Sequence, residues 1–279
     1  MRIGGALFET YSTPFEWAQA VRGQGYSAAF CPIGDDADDT VIGEWKAEAE
    51  RSDIIIAEVG AWGNNPISPN KATRKAGIQG CCRKLELADR VGANCCVNVA
   101  GSLGERWAGP GEGNLSDDTF ALIVDSVREI IDTVKPTRTF YALETMPWLI
   151  PHSPRVYAKL LRAVRRGRFA VHLDPVNLIN CPERYYDTPA LLEECFNLLG
   201  PHIVSCHAKD IILRDELTMH LSECRPGLGN LNWGAFVREL GRLDRDIPLM
   251  IEHLSDPEDC RAAAAFIRNV AQIEGVPVV

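Results

Sequence analysis

Four side chains able to grip a hard metal ion recur at matching places in the second half of the sequence: Glu144 in ALET, Asp174 in HLDP, His207 in CHAKD and Glu252 in IEHL. Each closes a short apolar run and therefore belongs at the C-terminal end of a strand. Three carboxylates and one imidazole make an oxygen-rich donor set, which suits Mn2+, Mg2+ or Co2+ better than a thiolate-selected metal. Manganese is the first expectation, with Zn2+ also admitted. Taken singly, each residue reads as a cap, an ion-pair partner or a satisfied core histidine. Four at equivalent places on successive strands point instead to a cation, because buried carboxylates are costly unless paired or coordinated.

Strand alternation sorts the neighbours of these four, since residues two apart face the same way. Ala142 and Met146 are expected to turn inward with Glu144, and His172 with Asp174 but one layer deeper. Ser205 and Lys209 are expected inward with His207, while Cys206 and His253 face out beneath the helices. Lys209 therefore becomes a candidate substrate contact in the pocket, with His172 beneath it. Trp107, with Trp62, Trp148 and Phe8, could offer an aromatic face to an apolar part of a ligand. His152 and His220 sit in strand-following loops and are weaker candidates.

Eight apolar runs must do the positioning: 2–8, 28–33, 53–61, 94–101, 140–146, 169–177, 203–210 and 248–254. Longer amphipathic stretches separate them, as in a succession of βα units with a parallel sheet. Ser116-Asp117-Asp118, Ser153-Pro154 and Asp256-Pro257-Glu258 read as helix starts, and Gly25 and Gly92 as helix stops. Two connections are long, at 62–73 and 211–232. Both follow strands, so both belong to the face where barrel enzymes carry their sites. With 279 residues, the chain suits one (β/α)8 TIM barrel over 1–279, a fold that typically needs about 250 residues.

Bulk composition narrows the partners. Apolar residues make up 46% of the chain and charged ones 24%, which supports a sizeable core. A net charge of -9 disfavours a nucleic-acid partner, whose affinity rests on Lys and Arg. The basic cluster Arg162, Arg165, Arg166 and Arg168 falls at a helix end and reads as a solvated face. No window reaches the ~18 apolar residues of a membrane span, and the start lacks a secretory apolar stretch. Ten cysteines without a CxxC pair read as reduced thiols in a cytoplasmic protein.

On these residues the sequence resembles the sugar phosphate isomerase/epimerase superfamily, the xylose isomerase-like barrels. Its members include ketose 3-epimerases, hydroxypyruvate isomerase, inosose dehydratase and endonuclease IV. The resemblance implies that Glu144, Asp174, His207 and Glu252 are the metal ligands. It sets Asn177 where the epimerases have a histidine, and Pro226-Gly227-Leu228-Gly229 where they have a glycine-rich turn. Arg225 takes the place of an arginine that follows the histidine ligand, and the resemblance adds it and Asn177 as substrate contacts. The stretch TMPWLIPHSP after Glu144 lacks the epimerases' second glutamate, and HAKD is closer to the dehydratase branch.

The expected chemistry is a metal-dependent sugar isomerase or epimerase acting on a ketose or related keto-sugar. Glu144 and Glu252 would remove and return the proton through a cis-enediolate intermediate. The alternative is a dehydratase or lyase of a keto-inositol or keto-glycoside. An endonuclease IV-like phosphodiesterase is disfavoured by the acidic balance and by the lack of histidines in 53–61 and 94–101; a non-catalytic sugar-binding barrel is the remaining reading. The expected partner is a small sugar substrate, without nucleic acid or membrane, in a chain that self-associates as a dimer or tetramer.

Overall fold

The structure is a computed structural model that describes all residues 1–279. Its strands are β1 (Arg2–Gly4), β2 (Ala28–Phe30), β3 (Ile55–Gly60), β4 (Cys95–Asn98), β5 (Phe140–Glu144), β6 (Phe169–Leu173), β7 (Ile203–Ala208), β8 (Asp210–Arg214), β9 (His220–Cys224) and β10 (Pro248–Ile251). Its helices are α1 (Pro14–Gly23), α2 (Asp39–Arg51), α3 (Lys71–Val91), α4 (Asp117–Val134), α5 (Pro154–Val164), α6 (Pro182–Tyr186), α7 (Thr188–Leu199), α8 (Trp233–Leu240) and α9 (Pro257–Ile273).

Eight strands form one parallel sheet in the order β1-β10-β7-β6-β5-β4-β3-β2, and helices follow them in the TIM-barrel rhythm. The barrel nearly closes between β1 and β2, where the Ser27 N–H donates to the Ile3 carbonyl at 3.0 Å. Gly4 permits that approach, because a Cβ there would lie 2.4 Å from the Ala28 carbonyl oxygen. Every expected strand is present, each shorter than its apolar run.

One large cluster of buried residues fills the layer between strands and helices. Inside the barrel the packing is smaller-grained, with Ala28, Ala57 and Met250 in one group and Cys95, Val97 and Ala142 in another. Capping behaves as the sequence indicates: the hydroxyls of Ser116 and Ser153 and the carboxylate of Asp256 accept from the first-turn N–H groups of α4, α5 and α9. Arg166 pairs with Asp132 at the helix end anticipated for the basic cluster. All ten cysteines are free, and no helix is long and apolar enough to cross a membrane.

The connection at 211–232 departs from expectation. Its first half is an antiparallel hairpin, β8 against β9, registered from Asp210 opposite Cys224 to Arg214 opposite His220. The hairpin stands at the C-terminal mouth and is fastened by Asp210. Asp210 Oδ1 accepts from the Ile211 and Leu231 N–H groups, and Oδ2 from the Gly227 N–H and the Trp233 indole, all at 2.9 Å. The glycine-rich turn folds tightly over this anchor: Gly227 has φ +92°, and a Cβ on Gly229 would fall 2.3 Å from Asp210 Oδ1.

Candidate metal centre

Glu144, Asp174, His207 and Glu252 converge at the ends of β5, β6, β7 and β10, four adjacent strands, with one donor atom from each within 4.8 Å of the others. His207 Nδ1 lies 3.0 Å from Glu144 Oε1, 2.9 Å from Glu252 Oε2 and 3.8 Å from Asp174 Oδ2. Asp174 is prepared by its backbone surroundings. Its Oδ1 accepts from the N–H groups of Val176 and Asn177, and the Thr145 hydroxyl donates to its carbonyl. Oδ2 is left facing the cage. Asn177 Nδ2 donates to Glu144 Oε1 at 3.1 Å, so this residue both lines the cavity and steadies a ligand.

The donor set fits a divalent cation. Asp174 Oδ2 and Glu252 Oε2 are buried and accept no well-aligned hydrogen bond, the condition of carboxylate oxygens waiting for a cation. Lys209 reaches the same oxygens, with Nζ 2.8 Å from Asp174 Oδ2, 2.7 Å from Glu252 Oε2 and 3.7 Å from Glu144 Oε1. One ammonium among three carboxylates leaves negative charge uncompensated.

The electrostatics follow from that crowding. Burial raises the Asp174 pKa, but Lys209 and His207 outweigh it and bring the group well below the usual carboxylate range. Glu252 behaves likewise: burial is overcome by His207 and Lys209, and its pKa falls to about 2. Burial lowers His207 and Lys209, yet the surrounding carboxylates more than offset this and raise both above their ordinary values.

Beneath the cage lies a second group that the sequence reading missed. Glu58 on β3 is fully buried; its Oε1 is 2.8 Å from His172 Nε2 and accepts from the Ser205 hydroxyl at 2.6 Å. Glu58 Oε2 and His207 Nε2, each without another partner, face one another at 3.6 Å. The imidazole thus turns Nδ1 to the cage and Nε2 towards a carboxylate at ion-pair distance, so a proton on Nε2 would be favoured and Nδ1 left free for a cation. The β2–β3 register skips Ala57, so both Ala57 and Glu58 face inward; bulges re-aim side chains in this way. The only signal in the sequence is a glutamate inside the apolar run IIIAEV.

Other expectations meet mixed outcomes. Ser205, Lys209 and Met146 turn inward, Cys206 outward. His172 turns inward but is engaged by Glu58 below the cavity and does not line it. Arg225 ion-pairs with Asp259 in the first turn of α9 at 3.1 Å and is also absent from the cavity wall. His253 is corrected: β10 ends at Ile251, and a φ of +58° returns the imidazole to the mouth. There its Nδ1 is 2.7 Å from Glu223 Oε2, the interaction that chiefly raises its pKa. Glu223 itself, from β9, lies 3.5 Å from Lys209 Nζ and adds an unanticipated acid to the wall. Trp62, Trp107 and Trp148 line the cavity; Phe8, His152 and His220 do not.

Fold and site together define a parallel eight-stranded barrel carrying at its C-terminal mouth a carboxylate-rich cluster that could hold a metal ion. The chain belongs to the xylose isomerase-like TIM barrel family, whose model matches residues 18–270. Among solved structures it is similar to D-psicose 3-epimerase from Clostridium cellulolyticum, determined with D-tagatose: 17% identity, TM-score 0.70, covering 97% of this chain and 99% of that one. It is also similar to 3-keto-D-glucoside 4-epimerase from E. coli, with 16% identity, TM-score 0.69 and 96% and 99% covered. Endonuclease IV from Thermus thermophilus has 13% identity, TM-score 0.74 and 98% and 100% covered. At these identities the likeness is one of fold. No curated protein sequence matches the chain.

Proposed function

We propose that this protein is a divalent-metal-dependent sugar isomerase or epimerase that removes a proton next to the carbonyl of a keto-sugar. The observation that carries the reading is the cage itself: three buried donors and the partly buried Glu252, its three carboxylates balanced by only one lysine, opening onto a cavity that Glu144, Asn177, Lys209 and Glu252 share. A cation held there supplies a Lewis acid for the carbonyl oxygen and its neighbouring hydroxyl; manganese is our first choice from the hard donor set.

The chain's own residues handle the proton and the orientation. Glu144 and Glu252 stand at the two ends of the ligand arc, on β5 and β10, and so address the substrate carbon from different sides. Glu252, whose pKa is lowered against the effect of burial by His207 and Lys209, is ionised at neutral pH and can accept the proton. In epimerisation Glu144, steadied by Asn177, would start protonated and deliver its own proton to the opposite face, the two carboxyl groups then re-equilibrating through solvent; in isomerisation Glu252 would itself return the proton it took to the neighbouring carbon. Lys209 supplies a fixed positive charge beside the oxygen on which negative charge develops. The family membership and the epimerase neighbours agree with this chemistry.

His253 favours elimination as a second reading. Its imidazole lines the cavity within 3.5 Å of Glu252 Oε1, and Glu223 raises its pKa. It is suited to protonate a departing β-oxygen.

The deciding experiment is solvent-deuterium exchange into free ketoses, their phosphates and keto-glycosides, with and without Mn2+, followed by mass spectrometry. Exchange should require the metal and vanish in His207→Ala. A conjugated enone appearing in ultraviolet absorbance would select elimination. No exchange into any of these compounds would sink the proposal.

A further inference from the structure

The cavity above the cage has a volume of about 830 Å³, towards the upper end of the ~300–1,000 Å³ that buries a drug-sized ligand. Its polarity is divided. The charged groups Glu144, Lys209, Glu223 and Glu252 gather around the cage, whereas most of the wall is apolar. Trp62 comes from the loop after β3, Trp107 from the loop after β4 and Trp148 from the loop after β5; Met219 and Leu221 come from the hairpin opposite.

A free ketose carries an oxygen on every carbon. Pressed against this wall, its hydroxyls would lose water and find few partners, which is unfavourable. The Trp148 indole N–H is already used, donating to the Ala108 carbonyl at 2.9 Å. Trp62 and Trp148 nevertheless remain 41% exposed at the rim. Trp62 and Trp107 stand with ring centroids 6.5 Å apart and planes tilted by 50°. Apolar surface of this extent held open beside a charged floor marks a ligand-binding face.

We infer that the site is bipartite: the cage takes the hydroxycarbonyl part of the substrate, and the tryptophan-methionine wall takes an apolar, ring-bearing substituent joined to it. The substrate class is then a keto-sugar glycoside with an aromatic aglycone in place of a free monosaccharide. The inference rests on the proposed function for what happens at the cage, but the wall's preference is a matter of binding alone.

The two are therefore tested apart. Binding of phenyl and methyl 3-keto-β-D-glucosides is measured by isothermal titration calorimetry and by quenching of tryptophan fluorescence, on the protein with and without Mn2+. Two or three ring contacts should favour the phenyl compound by on the order of ten-fold or more. Trp148→Ala should bring the ratio close to one. Met219→Ala, on the exposed hairpin, should lower it in part and serves if the tryptophan variant fails to fold. A phenyl preference without deuterium exchange would uphold the bipartite site and remove the proposed chemistry. Exchange with equal affinity for both glycosides, or with free ketoses bound better than either, would overturn the bipartite site and leave the chemistry standing. A wall covered by a second copy of the chain, seen as a dimer whose tryptophans resist quenching by acrylamide, would also overturn it.

Discussion

Glu58 shows how much of the site's behaviour is set one layer below the residues that would touch a cation. A carboxylate buried this deeply persists because His172 and Ser205 both contact it, and His172 and His207 hold its pKa well below the ordinary value against the pull of burial. Its second oxygen faces His207 Nε2, so it orients the ring that offers Nδ1 to the cage. Glu58→Gln keeps the shape and removes the charge. We expect Mn2+ affinity to fall roughly 10- to 100-fold, measured by calorimetry, while the far-ultraviolet circular dichroism stays unchanged. A purely packing role would lower thermal stability without changing metal affinity. The four cage residues were readable from the sequence because each closes or directly follows an apolar strand run; β7 has a register shift at Val204, but alternation holds from Ser205 to His207, beyond it. Glu58 was not, because alternation counted along β3 puts it with Ile56, on the helix side, and the bulge at Ala57 cancels that count.

At the scale of elements, the mouth is shaped by insertions that periodicity describes poorly. The β8–β9 hairpin escaped notice because one side of it faces solvent, leaving too few apolar residues to stand out from a loop. Its placement depends on Asp210, which no apolar pattern would single out. His253 and Arg225 were misjudged for related reasons: one lies beyond the end of its strand on a left-handed turn, the other is drawn away by Asp259. Asp210→Ala would leave the N–H groups of Ile211, Gly227 and Leu231 and the Trp233 indole without their acceptor in a buried position. A lost buried acceptor costs about 1–3 kcal/mol per orphaned donor before relaxation. The expected net loss, read from urea unfolding, is therefore about 3–5 kcal/mol once relaxation is allowed for. Trp233→Phe, which removes one of these donors together with part of a ring, should cost less. Equal stability of the Asp210 variant and the parent would show that the hairpin and glycine-rich turn hold themselves in place.

For the whole molecule, the cage makes metal-free stability fall as pH rises, while the stabilisation gained from a metal grows with pH and offsets that fall. In the metal-free protein the carboxylates raise the His207 pKa well above 6.5. A group whose folded pKa is raised contributes stability fully below its unfolded value and loses it as pH rises through the folded value. Metal-free protein should therefore become less stable from about pH 6.5 upward, by at most about 1.4 kcal/mol per pH unit for this one proton. Asp174 and Glu252, whose values are lowered, contribute stability above the unfolded carboxylate range and lose it only in acid, so they do not alter the slope near neutrality. A cation needs the Nδ1 lone pair and must displace that same proton, so its affinity should rise with pH. At a free Mn2+ concentration about 100 times Kd the stabilisation is about 2.7 kcal/mol, or roughly 5 °C for a chain of this size. Thermal unfolding at pH 6, 7 and 8 should show the Mn2+-induced shift growing with pH, reversed by EDTA and absent in His207→Ala. Calorimetry in two buffers of different ionisation enthalpy should detect the released proton. A shift independent of pH, with no proton released, would mean that the imidazole stays protonated and the cation is held by the carboxylates alone.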